Sequence, residues 1–258
     1  MTPKLTSAGR LEKIRAMVAQ RKTVSNGELS QALGVSEMTI RRDLDELERQ
    51  GQIRRTHGGA IMAERLVFEL DFREQQVARR AEKLAIAREA VKLIQPGMRV
   101  MLDTGTSTLA VAEELSGIGN LTVITTSLAV LSQLQFAENI NLIVLGGQVR
   151  RGNADLTGGL TEYALDFLAG DIAFLGADAV GPDGSTYNSD IRLARVDQKM
   201  RERCSKTYIV ADSHKIGKTA LARNGSILDC AGLITDGEAD ARWVQAMIRA
   251  GANVIVAK

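Results

Sequence analysis

The 258-residue chain has few of the residues that mark several common classes of protein. It has two cysteines, Cys204 and Cys230, which excludes a disulfide framework and any multi-cysteine zinc site. Two histidines, His57 and His214, leave little for a histidine metal centre, and no residue pattern calls for a cofactor. Aromatic residues are 3% of the chain and none precedes Phe68, which disfavours a base-stacking platform for single-stranded nucleic acid. No apolar run approaches the ~18 residues needed to span a bilayer. The stretch from Met1 to Thr6 has no apolar core of a signal peptide, so the expectation is a reduced, cytoplasmic protein with no membrane partner.

What is present is an ordinary globular composition, 45% hydrophobic and 25% charged, with length for one or two domains. The net charge of +2 conceals an asymmetry. Residues 1–60 hold 11 basic and 7 acidic side chains, a charge of +4, which leaves the remainder at −2. A basic amino-terminal module on a slightly acidic body suits a polyanion at one end.

The first sixty residues read as three helices and a hairpin. Leu11, Ile14 and Val18 recur at helical spacing. Ser25 is placed to cap a second helix, with Glu28 as its capping-box partner. That helix should bury Leu29, Ala32 and Leu33 and end at Gly34. Ser36 starts a third helix with Thr39 three residues on, and Ile40, Leu44 and Leu47 lie on its inner face. The basic, Gly-terminated run 52–60 has the form of a β-wing. This is the layout of a helix-turn-helix, in which the start of the second helix of the pair meets base edges. Candidate DNA contacts are Ser25, Ser36, Glu37, Met38, Thr39, Arg41 and Arg42, with Arg54, Arg55 and His57 in the wing. Arginine pairs with guanine or clamps phosphate, and the sequence leaves that choice open. A solvated charged face is the plain alternative for any one Arg-Arg pair.

Phe68, Leu70 and Phe72 sit among many charges in a stretch read as a linker, 63–80. A helical stripe of Leu84, Ala87, Val91 and Ile94 follows. Beyond Gly97, strands at 100–102, 121–124, 142–145, 172–175, 208–210, 233–234 and 254–256 alternate with helices at 107–115, 127–136, 160–168, 191–204 and 239–250. That order predicts an α/β domain with a mostly parallel sheet covered on both faces.

Ligands of such sheets bind outside the carboxyl ends of the strands. Asp103, Gly105, Thr106, Ser107 and Thr108 follow the first strand, and a helix start with hydroxyls suits an anion. Thr125, Thr126 and Ser127 follow the second strand, and Gly146 and Gly147 the third. Asp178 offers a carboxylate to sugar hydroxyls and Lys215 a cation to phosphate, although a surface lysine is an equal reading. Tyr187, Asn188, Asp190 and Arg192 either recognise a particular sugar or serve structure.

The run Val35-Ser36-Glu37-Met38-Thr39-Ile40-Arg41-Arg42-Asp43-Leu44, with Arg55-Thr56-His57-Gly58-Gly59-Ala60, resembles the DeoR family of bacterial transcription regulators. The resemblance extends over both halves. It implies a winged helix-turn-helix at 1–62 and a sugar-phosphate sensor at 81–258, similar to ribose-5-phosphate isomerase. It implies a repressor of a carbohydrate-utilisation operon relieved by a phosphorylated sugar, acting as a homo-oligomer (dimer or tetramer) on double-stranded operator DNA, with no catalysis. The chain departs from the family at Thr126, where asparagine is usual, and across 190–199, which lack the usual Glu and Lys arrangement. The alternative is a sugar-phosphate isomerase with an appended helical module, in which Asp103, Asp178 or Asp212 would be the base.

Overall fold

Leu11, Ile14 and Val18 share one face of α1 (Ser7–Arg21), whose buried residues are Ile14 and Val18. The computed structural model describes residues 6–21, 23–62, 75–150 and 153–258, and the chain divides into two units, Met1–Glu74 and Gln75–Lys258. In the first unit, β1 (Thr23–Ser25) leads into α2 (Asn26–Leu33) and α3 (Glu37–Arg49). Both cap expectations hold. The Ser25 hydroxyl accepts from the Glu28 N–H at 3.2 Å, and the Glu28 carboxylate accepts from the Ser25 N–H at 2.7 Å. Gly34 ends α2 with φ 64°, and Ser36 caps α3 by accepting from the Thr39 N–H at 3.3 Å. Leu29 is buried and Leu33 half-buried, but Ala32 faces solvent, so α2 turns a narrower face inward than its spacing suggests.

The wing is β2 (Ile53–Thr56) and β3 (Gly59–Met62), antiparallel through the His57-Gly58 turn. Thr23–Ser25, where only the Ser25 cap is expected, is a third strand paired with β3. A three-residue strand has no periodicity of its own, so this pairing is decided by the partner. Ile14, Val18, Val24, Leu29, Ile40, Leu44, Leu47, Ile53 and Ala60 close one core. Asn26 and Asp43 are buried polar residues of this unit, and both Asp43 oxygens accept from the Arg10 guanidinium, one of them at 3.0 Å. This fork ties α1 to α3.

The second unit opens with α4 (Arg80–Val91). The strands β4 (Arg99–Leu102), β5 (Leu121–Thr125), β6 (Ile140–Val144), β9 (Gly170–Leu175), β12 (Cys204–Val210), β14 (Gly232–Asp236) and β15 (Val254–Ala257) form one seven-stranded sheet. Its order is β15-β14-β12-β9-β4-β5-β6 and every pair is parallel. The helices are α5 (Thr106–Glu113), α6 (Leu128–Leu134), α7 (Gly159–Leu165), α8 (Ile191–Glu202) and α9 (Ala241–Arg249). Met101, Ala173, Leu175, Ile209 and Leu233 pack in a core with Leu165 of α7, Met200 of α8 and Met247 of α9. The intervening strand residues Val100, Leu102, Phe174, Val210 and Ile234 are also buried, and by alternation they point to the other face, where α4 packs.

Four short strands and a longer one lie outside the main sheet. β7 (Gln148–Val149) pairs with β8 (Leu156–Thr157), and β10 (Ala179–Val180), β11 (Ser185–Asn188) and β13 (Ala222–Ser226) form a small antiparallel sheet. No strand was expected at these positions. They are short or polar, and their register depends on residues far along the chain. The expected linker at 63–80, with Phe68, Leu70 and Phe72, lies largely outside the described residues; α4 begins at its last position.

The Arg10–Asp43 fork yields a stability prediction. Asp43→Ala should destabilise the amino-terminal unit by about 2 kcal/mol, between the values for exposed and fully buried pairs. Chemical denaturation followed by circular dichroism would measure it, and a change below about 0.5 kcal/mol would remove the fork from the account of this unit.

Candidate functional site

In the amino-terminal unit, the residues expected at DNA fall into two groups. Glu37, Met38, Arg41 and Arg42 are exposed on the first turns of α3, with Met38 at 62%. Arg41 lies 3.9 Å from Glu37, whereas Arg42 has no ion pair among the described residues. Arg54 and His57 are exposed on the wing. Ser25 and Ser36 are the helix caps, and Thr39 exchanges a hydrogen bond with the Ser36 hydroxyl at 3.0 Å. Arg55 binds back onto α3: its guanidinium pairs with Asp45, and its N–H donates to Glu48 at 2.8 Å. Arg55 therefore fixes the wing against α3 before it does anything else.

In the second unit, β4 leads to β5 on one side, while β9, its neighbour on the other, leads to β12. The loops after β4 and β9 therefore part in opposite directions, and a crevice opens at their carboxyl ends. A cavity of about 180 Å³ lies there. Its walls include Asp103, Gly105, Thr106, Ser107, Asp178 and Lys215, together with Thr104, Gly176, Ala177, Asp212 and His214. Gly105 sits at the start of α5 with φ 138°, a conformation open to glycine, and no side chain caps that helix. The first N–H groups of α5 thus face the cavity wall without a side-chain acceptor.

The other expected loops do not line this cavity. Thr108 is buried and its hydroxyl donates to the Gly105 carbonyl at 3.2 Å. Ser127 caps α6 by accepting from the Val130 N–H, and the Thr125 hydroxyl accepts from the Ser127 N–H at 3.0 Å. Thr126 is fully buried, with no hydrogen-bond partner for its hydroxyl among the described residues. Gly146 and Gly147 pack on α7: the Gly146 carbonyl accepts from Thr161, and a side chain on Gly147 would strike the Thr161 hydroxyl. These turns stand over β5 and β6, one and two strands beyond the β4–β9 crevice, where Ser127 and Gly146 hold α6 and α7.

Two cations at the cavity come from a place the sequence reading passed over. Arg79, just before α4, and Lys83, in its first turn, both line the wall. The expected α4 stripe was Leu84, Ala87, Val91 and Ile94. The structure instead buries Lys83, Ile86, Ala87, Ala90 and Ile94, while Leu84 and Val91 are half-buried. The spacing 83, 86, 87, 90, 94 is equally helical, so the signal was present, but a lysine does not announce a buried face. Asn188 also reaches the cavity, whereas Asp190 caps α8 and binds Arg192 and Arg150.

The cavity wall carries charges of both signs. Burial lowers the Lys83 ammonium's pKa, and the charges acting on it are those of Asp212, Lys215, Glu82 and Arg79. Buried carboxyls share the wall. Asp103 is 1% exposed, one of its oxygens accepts from the Gly176 N–H at 2.7 Å, and the other has no hydrogen-bond partner among the described residues. Burial, then the neighbouring Asp197 charge, raise its pKa well above the carboxylate range. Asp197, fully buried beneath Asn188, is pushed up to about 7 by the same loss of water. Among the described residues no cluster of side chains could hold a metal. The thiols of Cys204 and Cys230 are also raised by burial, Cys204 to about 12, which makes them inert at neutral pH.

The acid pair predicts an unusual pH dependence. Asp197 binds its proton more tightly folded (about 7) than unfolded (3.8), so the folded state holds the extra proton between those values. On the account of Asp197, stability of this unit should therefore fall as pH rises from about 4 to 7, and Asp103, whose pKa is raised too, acts in the same direction. Thermal melts at pH 5.5 and 8 check this, with the higher Tm expected at pH 5.5. Asp197→Asn should reduce the difference, and an unchanged slope in that variant would be the contrary result.

Comparison with known proteins supplies the family. Residues 10–65 match the DeoR-like helix-turn-helix domain and residues 78–237 the DeoR C terminal sensor domain. An uncharacterised HTH-type transcriptional regulator of Bacillus subtilis is 34% identical, over 93% of each chain. The glycerol-3-phosphate regulon repressor of Escherichia coli is 33% identical, over 85% of this chain and 87% of that one. Among solved structures, ribose 5-phosphate isomerase A of Methanocaldococcus jannaschii aligns with 54% of this chain and 55% of its own, at 22% identity and a TM-score of 0.41. No helix among the described residues is long and apolar enough to cross a membrane. With both family domains matched in order along it, the chain belongs to the DeoR family of transcriptional regulators.

Proposed function

We propose that this protein represses a carbohydrate-utilisation operon and that a phosphorylated sugar in the sensor cavity relieves the repression. The observation that carries the reading is the make-up of the cavity wall, which gathers cations, an uncapped helix start and carboxyls around one space. Arg79, Lys83, Lys215 and the uncapped start of α5 suit a phosphate, and Asp103, Asp178 and Asn188 suit sugar hydroxyls. Residues 1–62 are the DNA-binding domain in this reading, 63–80 the connector and 81–258 the sensor. The name of the Escherichia coli relative, a glycerol-3-phosphate regulon repressor, is in keeping with a small phosphorylated polyol.

On DNA, Met38, Arg41 and Arg42 at the start of α3 meet the major groove, and Arg54 and His57 of the wing meet the backbone beside it. A homo-oligomer would set two such units at half-site spacing. The effector acts by binding more tightly to an arrangement that does not fit the operator, and a coupling of about 1–3 kcal/mol loosens DNA roughly 5–150-fold.

Asp103, a cavity-wall carboxyl with a free oxygen, is also a feature an isomerase would use as a base, so turnover belongs in the same experiment. A panel of pentose and hexose phosphates is screened by thermal shift, then for isomerisation and for release of operator DNA. The expected result is stabilisation by one or a few of them, DNA release by the same ones, and no isomerisation. Binding without release, or turnover, would overturn the proposal.

Arg42→Ala should weaken operator binding about fivefold or more while leaving the melting temperature unchanged, because the side chain is exposed and off the apolar face. If Arg42 holds a phosphate, the slope of log affinity against log salt falls by about 1; if it reads a base, the loss is confined to one operator position.

A further inference from the structure

Arg79 occupies an unusual position. Its φ of 54° and ψ of 39° put a non-glycine residue in the left-handed region at the start of α4. Four carboxylates surround its guanidinium. Nη2 lies 2.5 Å from Glu238, 3.4 Å from Glu82 and 3.8 Å from Asp236, and Nε lies 3.6 Å from Asp212. Nη2 also donates to the Ser213 hydroxyl at 3.1 Å. Nε is buried and donates to nothing among the described residues, although the side chain lines the cavity. Lys83 behaves in parallel: buried in the same wall, its ammonium donates to the carbonyls of Gln75, at 2.8 Å, and Ala78. No carboxylate within ion-pair distance balances it among the described residues.

We propose that the Arg79–Glu238 ion pair is a charge latch on the effector cavity, opened when a phosphate-bearing ligand competes with Glu238 for the guanidinium. The proposal deepens the effector reading above and rests on it. Glu238 is the partner that can let go, since its side chain is 67% exposed and regains water at once, whereas Asp212 and Asp236 are 4% and 3% exposed. A phosphate at the cavity wall offers Arg79 Nε the acceptor it lacks and Lys83 the anion it lacks. Movement of Arg79 toward the ligand changes the strained backbone at 79, and the displaced Lys83 ammonium releases the carbonyls of residues 75 and 78. These residues lead directly into α4, so the device turns ligand charge into a change where the sensor's first helix begins. Glu238 thereby holds a fraction of molecules in a form that binds phosphate weakly, and apparent affinity is reduced by that fraction.

The test measures binding of inorganic phosphate and of ribose 5-phosphate to the full chain by titration calorimetry at constant ionic strength. Glu238→Gln should tighten both about fivefold. Glu202→Gln removes the same charge from an exposed position on α8 and should change neither. Arg79→Gln should weaken both at least tenfold, and adding Glu238→Gln to it should then have no effect. Arg79→Lys, which keeps the charge without the fork, should give an intermediate loss and a reduced Glu238→Gln effect, and it serves if the glutamine variant does not fold. Equal effects of Glu238→Gln and Glu202→Gln, or a Glu238→Gln gain that persists without Arg79, would overturn the latch while leaving the cavity's ligand class intact. Absence of binding of both probes to the unmodified protein would overturn the latch, while the effector reading is decided by the panel above.

Discussion

A buried side-chain hydrogen bond joins the two halves of the sensor's working edge. The Asp103 carboxylate, at the end of β4, accepts from the Gly176 N–H at the end of β9, at 2.7 Å. These are the two strands whose onward connections run in opposite directions, so the bond spans the crevice floor and fixes the loops on both sides of it. Burying a carboxyl there is costly, and its raised pKa records that cost. The unpartnered second oxygen is the consequence: a strong acceptor, or a hydroxyl donor when protonated, left at the cavity wall.

The cavity's cations have a different origin. The loops at strand ends supply Lys215, but Arg79 and Lys83 come from the segment that begins the sensor unit. The cavity is built partly from the sheet edge and partly from α4. The loops after β4 and β9 are tied to each other by the Asp103–Gly176 bond and by the Asp103 N–H donating to the Phe174 carbonyl. The start of α4 is held by side-chain charges, with one residue in a strained backbone conformation. A ligand's charge acts most effectively on the part that charge already holds. This gives the regulator a physical route from binding to response that does not require the sheet to deform.

The amino-terminal unit could be read closely from sequence because its signals are local. Capping by Ser25 and Ser36, termination at Gly34 and the inner face of α3 each depend on residues within a few positions, and all hold in the structure. The strand at Thr23–Ser25 escaped because it exists only through its pairing with β3, some 35 residues on. Arg55 is instructive for the same reason: its charge was visible, but its engagement with Asp45 and Glu48 was not.

In the sensor, the alternation of strands and helices was legible because fully buried parallel strands must be apolar throughout. That alternation also placed hydroxyl and glycine turns at one edge, which was enough to name a ligand-binding crevice. It could not say which turns share it, because strand order is not chain order. The insertion of β9, β12, β14 and β15 on the far side of β4 brings Asp178 and Asp212 to Asp103 and leaves Thr125–Ser127 and Gly146–Gly147 over the neighbouring strands. Local composition and periodicity thus determined the elements, the helix ends and the kinds of chemistry at the turns, since those depend on short-range sterics and hydrogen bonding. Which side chains meet, which acid keeps a proton and which lysine is buried were decided by packing between distant segments, where desolvation and charge act through space and leave no trace in spacing along the chain.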